Sequence, residues 1–436
     1  MTTRYLKKFT APLLPLLALT LGAGFGATSV AANAVADWHA VAETVIPASG
    51  RKNAVALPHY AYVDVAMYDA VNAINHRHRP FAVDVHAPRG ASEDAAAAQA
   101  AHDVLSHFFA SPPATNAATN AATIEAALTA SLAAIPDGPS KTDGVNVGKM
   151  VAAQWLSLRA GDGLEKAIPY TPGSGPGVWV PVPNYPAPPP NTTPAPVGVW
   201  LASFKPFALT SADQFLDDIA PPPSLTSDAW ARDYNRTKDY GAHNSTVRTA
   251  AQTEIGLFWT DDAAAQYSAA FRRLVASQQL DTAEAARLGA MSSVVMSDAV
   301  TACFNGKYHF ARWRPYTAIT NGDTDGNPKT VADPNWVPLA VTPGHPEYPA
   351  AHGCVTGALM ETLSAFFETD EIPYTVTSAV THTTHSFTSF DDVVREVDDA
   401  RIFGGMHFRR SVKEGNRLGS LVVHYVLKHH FGRRDE

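Results

Sequence analysis

The chain has 436 residues, 46% of them hydrophobic and 17% charged, which is enough length and apolar content to bury a large core. A formal net charge of −8 excludes nucleic acid as a general partner, so an anionic ligand must be met by positive charge gathered locally. Residues 1–34 read as an export leader: Arg4, Lys7 and Lys8 are basic, Ala11 to Ala27 is apolar, and small residues follow at Ser29 and from Ala31 to Ala34. That apolar run is too short and too rich in glycine to span a membrane, and no later stretch qualifies. The mature protein is therefore expected to be soluble and exported, periplasmic or extracellular.

Residues 35–168 predict helix after helix. Val63, Met67, Ala70/Val71 and Ile74 recur at helical spacing, as do Ala97, Ala101, Val104/Leu105 and Phe108. The segments around 119–135 and 142–159 are rich in alanine, which lets helices approach closely. From 169 to 225 the composition changes: 15 of the 33 prolines fall between Pro169 and Pro223. Such a run excludes α-helix and favours extended chain. Trp179, Tyr185, Trp200, Phe204 and Phe207 within it predict a strap with inward aromatics rather than a flexible linker.

Residues 226–436 return to helical periodicity. A helix is expected from Arg248 to Phe258 and another along Ala264, Tyr267, Phe271 and Leu274/Val275. Asp281 with Glu284 forms a capping-box pattern opening a third, which should end near Asn305-Gly306 and leave Lys307 at its C-terminus. Helices also follow Pro349, through Val355, Leu359 and Phe366, and close the chain through Leu418, Val422 and Tyr425. The fold expected is all-α: two packed helical bundles on either side of the proline-rich strap.

Three short islands lie in the second half: Lys307 with Arg314-Pro315, then Tyr348-Pro349-Ala350-Ala351-His352-Gly353, then Arg401 with His407. Together they supply three permanent cations and two imidazoles. Guanidinium forks and an ammonium suit the oxygens of a small oxyanion. One imidazole can attack or ligate the central atom and the other can move a proton. His345 could line the same pocket. His309 reads as packing or surface, and His382 and His385 lack a third ligand for zinc.

The islands follow the pattern K-x6-R-P, P-S-G-H, S-R-x5-H, so this region resembles the vanadium-dependent haloperoxidase and type-2 phosphatidic-acid-phosphatase superfamily. The local text Phe310-Ala311-Arg312-Trp313-Arg314-Pro315 and Gly404-Gly405-Met406-His407-Phe408 is similar to soluble bacterial haloperoxidases. The resemblance implies an oxyanion site at one end of the C-terminal bundle. Lys307, Arg314, Arg401 and the Ala351 amide would hold vanadate, His407 would ligate the metal, and His352 would be the acid–base. Hydrogen peroxide would be activated there, with Lys307 polarising it, to oxidise halide to a hypohalous species that halogenates an organic acceptor. Bromide-preferring members resemble this chain in carrying histidine at the position of His345, which could bind peroxide or, protonated, halide. Two other readings use the same pocket: an exported phosphatase acting on phosphate monoesters through a phosphohistidine, and an oxyanion-binding protein without turnover.

The chain departs from the family pattern at four positions. Ala350 replaces the motif serine, Ala351 the glycine, Ala400 the serine before Arg401, and Ser411 an aspartate common four residues after His407. Without that aspartate the sequence names no partner for His407. Cys303 and Cys354, the only cysteines, flank Lys307 and His352, and the convergence of those islands predicts a disulfide between them.

Overall fold

The structure is a computed structural model that describes residues 33–183, 193 and 195–434. The expected leader lies outside the described residues apart from Asn33 and Ala34. These two cap and open α1 (Ala34–Ala48), the Asn33 side chain accepting from the Val35 and Ala36 amides. Among the described residues there are thirteen α-helices and one two-stranded sheet, so the fold is all-α. None of these helices is long and apolar enough to cross a membrane.

The N-terminal bundle comprises α1, α2 (Leu57–Asn75), α3 (Glu93–Phe109), α4 (Ala117–Ala133) and α5 (Pro139–Leu158). Its alanines do what their size allows. Ala95 to Ala98 are fully buried on α3, and a Cβ on Gly148 of α5 would meet the Ala96 carbonyl oxygen at 2.5 Å. α2 is buried over nearly its whole surface, and its polar side chains Asp64, Asp69 and Asn72 are hydrogen-bonded there. It packs against the equally buried α9 (Thr282–Phe310), which joins the two bundles into one core.

The second bundle holds α6 (Asp228–Gly241), α7 (Ala250–Phe258), α8 (Ala263–Gln278), α9, the short α10 (Pro315–Thr320), α11 (Ala351–Phe367), α12 (Phe390–Phe403) and α13 (Arg409–His429). The Asp281–Glu284 capping box opens α9 as expected. The helix nevertheless continues four residues past the expected end at Gly306. Gly306 serves a contact, not a stop: a Cβ there would meet the Pro349 ring at 3.0 Å. The chain turns instead at Ala311, in the left-handed region at φ 44°. Lys307 thus sits inside the last turn.

One antiparallel hairpin, β1 (Tyr374–Thr377) with β2 (Thr384–Phe387), was not expected. Its strands are four residues each, too short for alternation to register. The strap is largely extended, with 3-10 turns at Val199–Ser203 and Leu216–Asp218 inside a region expected to lack helix. Trp179 and Phe204 are buried, while Tyr185 lies outside the described residues. Backbone bonds tie the strap to the segment before Arg314, through Trp179 N–H to Ala311 O at 2.7 Å and Trp313 N–H to Gly177 O at 3.0 Å.

Candidate active site

Three elements bring the islands together at one end of the second bundle: the last turn of α9, the first turn of α11 and the last turn of α12. Glycines set the α11–α13 distance. A Cβ on Gly415 would lie 2.6 Å from the Ala350 carbonyl oxygen, and one on Gly419 would lie 2.4 Å from that of Cys354. This close packing holds the start of α11 beside His407, in the turn before α13.

Lys307, Arg314 and Arg401 are 0%, 0% and 1% exposed. The Lys307 ammonium donates to the carbonyls of Pro346 and Glu347 at 2.9 and 3.0 Å. Arg314 donates through Nε to His345 O at 2.8 Å and through Nη2 to His345 Nδ1 at 2.9 Å. Its Nη1 donates to Met406 O at 2.9 Å and to His407 Nε2 at 3.0 Å. Arg401 donates through Nη2 to Trp259 O at 2.6 Å, and its Nη1 faces the His352 ring nitrogens at 3.2 and 3.3 Å. Arg401 Nε is buried with no hydrogen-bond partner among the described residues.

The electrostatics are lopsided. Among the described residues none of the three cations forms an ion pair. The one carboxylate in the cluster, Glu347, is bonded to His407 Nδ1 at 2.9 Å. Burial pushes Lys307 down to about 8, Arg401 to about 9 and Arg314 to about 10. Burial, followed by the neighbouring guanidinium, drives His345, His352 and His407 well below the ordinary imidazole value. This favours the uncharged form of all three rings. Because Arg314 can only donate, His407 Nε2 is an acceptor and the His407 proton sits on Nδ1, facing Glu347, whereas His345 Nδ1 lies between Arg314 Nη2 at 2.9 Å and the Pro346 carbonyl at 3.3 Å.

Charge without its complement at a buried site costs several kcal/mol per ion, and the geometry suits an anion that supplies the complement. Arg401 Nε is an orphaned donor. α11 begins at Ala351 with no side-chain cap at Ala350, so its first amides remain for a ligand. The residues present therefore fit a small tetrahedral oxyanion such as vanadate or phosphate, which Lys307, Arg314, Arg401 and His407 would hold. Ala351, His345, His352, Arg401 and His407 line a cavity of about 630 Å³ whose remaining wall is mainly apolar, with Trp259, Phe304 and Val300 prominent. Val197 of the strap lines it too, so the strap both covers helix surface and walls the cavity.

Two expectations change. Cys303 and Cys354 are in contact, but both are buried free thiols and no bridge joins them. Each thiol is engaged as a hydrogen-bonding group, with Cys303 Sγ also 3.5 Å from the Pro349 carbonyl. Glu347 is the residue that sequence reasoning missed. The available signal was that it is the one acidic residue between Asp333 and Glu361, immediately before the second island. Ser411 donates to the Glu347 carbonyl at 3.3 Å and also lies against the Glu347 carboxyl group. Among the other histidines, His309 is exposed, and His385 is held between Glu254 and Glu396 at 2.9 and 2.7 Å, stacked on Phe258.

Residues 287–434 match the family model for the VCPO second helical-bundle domain. The vanadium chloroperoxidase of Curvularia inaequalis is 28% identical over 239 residues, covering 46% of this chain and 36% of that protein's length. Among solved structures, a bacterial vanadium-dependent iodoperoxidase superposes with a TM-score of 0.76 at 20% identity, covering 92% of this chain and 97% of the other. A holo-type bacterial vanadium-dependent chloroperoxidase gives 0.66 at 17% identity, covering 86% and 92%. Residues 287–434 thus carry the VCPO second helical-bundle domain, and the chain shares its fold with these bacterial vanadium-dependent haloperoxidase structures.

Proposed function

We propose that the protein is an exported, vanadate-dependent haloperoxidase that uses hydrogen peroxide to oxidise iodide or bromide to a hypohalous species, which then halogenates an organic acceptor. The observation that carries this reading is the gathering of three buried cations, one of them with an orphaned Nε, around His352 and His407, with Arg314 donating to His407 Nε2. When bound, vanadate supplies Lewis-acid activation of peroxide without changing its oxidation state.

Each residue has a definite task in this scheme. Lys307, Arg314 and Arg401 neutralise and orient the oxyanion, joined by the Ala351 amide at the start of α11. His407 offers its Nε2 lone pair to the metal. His352, neutral and bonded to Arg401, takes or returns a proton. His345 lines the cavity, where its ring can hold peroxide. The apolar walls exclude water and strengthen these interactions.

Ala350 lacks the hydroxyl that would make one more charge-assisted hydrogen bond, about 1.5–3 kcal/mol. Weaker polarisation favours the more easily oxidised halides, which is why iodide and bromide are named and chloride is not. The test is to reconstitute the protein with vanadate and measure peroxide-dependent halogenation of a dye with each halide, alongside hydrolysis of a phosphate monoester. Iodide and bromide turnover is expected, and His345→Ala should shift the ratio between them at unchanged vanadate affinity. Ester cleavage without halogenation would favour the phosphatase reading, and strong chloride oxidation would reject the halide assignment.

A further inference from the structure

We infer that Glu347 is a positioning residue for the oxyanion: its carboxylate fixes the His407 imidazole with the proton on Nδ1 and a bare Nε2 turned into the cationic cradle, in place of the carboxylate that position 411 lacks. This rests on the oxyanion reading above. An arginine has only donors, so the 3.0 Å contact from Arg314 Nη1 requires a lone pair on His407 Nε2. The ring proton then lies on Nδ1, and its acceptor is Glu347 Oε1 at 2.9 Å. The same oxygen accepts the Phe408 amide at 3.0 Å, which pins the carboxylate to the backbone of the third island. The two side chains are 3% and 2% exposed, so solvent does not compete for either end of the bond.

The backbone of Glu347 adds a second layer. Its carbonyl accepts from Lys307 Nζ at 3.0 Å and from Ser411 Oγ at 3.3 Å, and its amide donates to Arg312 O at 2.9 Å. One residue therefore touches all three islands. Considered as charge alone, a carboxylate here opposes any anionic ligand. Its benefit must run through His407, because a carboxylate on the far nitrogen fixes the ring's orientation and makes the near nitrogen a stronger electron-pair donor.

Charge and positioning predict opposite outcomes, and two anions separate them. Vanadate can accept an imidazole as an additional ligand, whereas sulfate stays tetrahedral and is held by charge and hydrogen bonds only. Equilibrium binding of each, with no turnover involved, is expected to show Glu347→Gln weakening vanadate by about 10–100-fold, with sulfate unchanged or tighter. Parallel loss of both anions would reduce Glu347 to a packing role, and a gain for both would reduce it to a repulsive charge; either result overturns the proposal. Histidine nitrogen NMR of the ligand-free protein provides an independent readout. Wild type should show His407 protonated at Nδ1, and Glu347→Leu should redistribute that proton. A wild-type His407 protonated at Nε2 overturns the proposal even if no variant folds. Wild-type protein that binds sulfate but not vanadate would reject the vanadate reading, while the NMR result would still decide the role of Glu347.

Discussion

Two sites on the same helix bury full charges and treat them in opposite ways. Midway along α9, the fully buried Asp298 accepts three successive strap amides, Phe207 and Ala208 at 2.7 Å and Leu209 at 2.9 Å. Asp69 on α2 repeats the device with Phe81, Ala82 and Val83 at 2.6, 3.0 and 2.8 Å. Nine residues further along α9, roughly 14 Å, Lys307 joins Arg314 and Arg401 in a cluster that has three cations, one carboxylate and an unpartnered Nε. The carboxylate sites are closed by their own chain and therefore build the fold. The cationic site is bonded to backbone carbonyls but, among the described residues, not to a matching set of carboxylates, and on the proposed reading that charge serves an anionic ligand.

Substitutions can break this contrast. The largest effect is expected at Asp298→Ala, which leaves three buried amides without an acceptor. It should cost about 3–5 kcal/mol of stability, measured by denaturant unfolding, with unchanged anion affinity in the protein that remains folded. Arg401→Gln should do the reverse. Oxyanion affinity falls by about 100-fold, corresponding to the loss of one or two charge-assisted hydrogen bonds. The ligand-free protein keeps or gains stability, because a buried unpaired charge has gone. If Arg401→Gln unfolded the protein as readily as Asp298→Ala, the two sites would not differ in kind.

Ala350→Ser sharpens the comparison by adding a donor at the open end of α11. Vanadate affinity should rise by about 10–100-fold, read by equilibrium dialysis, and unchanged affinity would place the hydroxyl outside the cradle. The smallest effect is a pH slope. Burial raises Asp298 from the ordinary 3.8 to about 6, against the pull of its three amides. The folded state then binds this proton more tightly than the unfolded state, so its contribution to stability falls as pH rises from about 4 to about 6. Asp298→Asn should flatten that part of the stability–pH curve, and an identical curve would show that Asp298 does not titrate there.

Much of the molecule was legible because the relevant information is local. Helix faces repeat every three or four residues, and the Asp281–Glu284 box is a four-residue pattern. Lys307 and Arg314, or Arg401 and His407, are close enough in sequence for their spacing to be recognised as a motif. The end of α9 was not legible. Gly306 has the composition of a helix stop, but its missing side chain accommodates Pro349, 43 residues away in sequence. The Cys303–Cys354 contact followed from the convergence of the islands. Whether it closed into a bridge depended on thiol geometry and hydrogen-bonding neighbours that no spacing encodes.

The sequence alone determined an all-α chain with a strap of prolines between two helical halves, and it determined the chemical types gathered near the site: three cations, His352 and His407. Helical periodicity and motif spacing are properties of consecutive residues, and they survive without knowledge of the fold. Only the tertiary structure decided that none of the three cations is ion-paired among the described residues, that burial drives the His345, His352 and His407 rings well below the ordinary imidazole value, and that Glu347 is bonded to His407. Burial and hydrogen-bond pairing depend on which distant residues surround a group. A carboxylate 60 residues from its imidazole becomes a partner only when α9, α11 and the turn before α13 pack together.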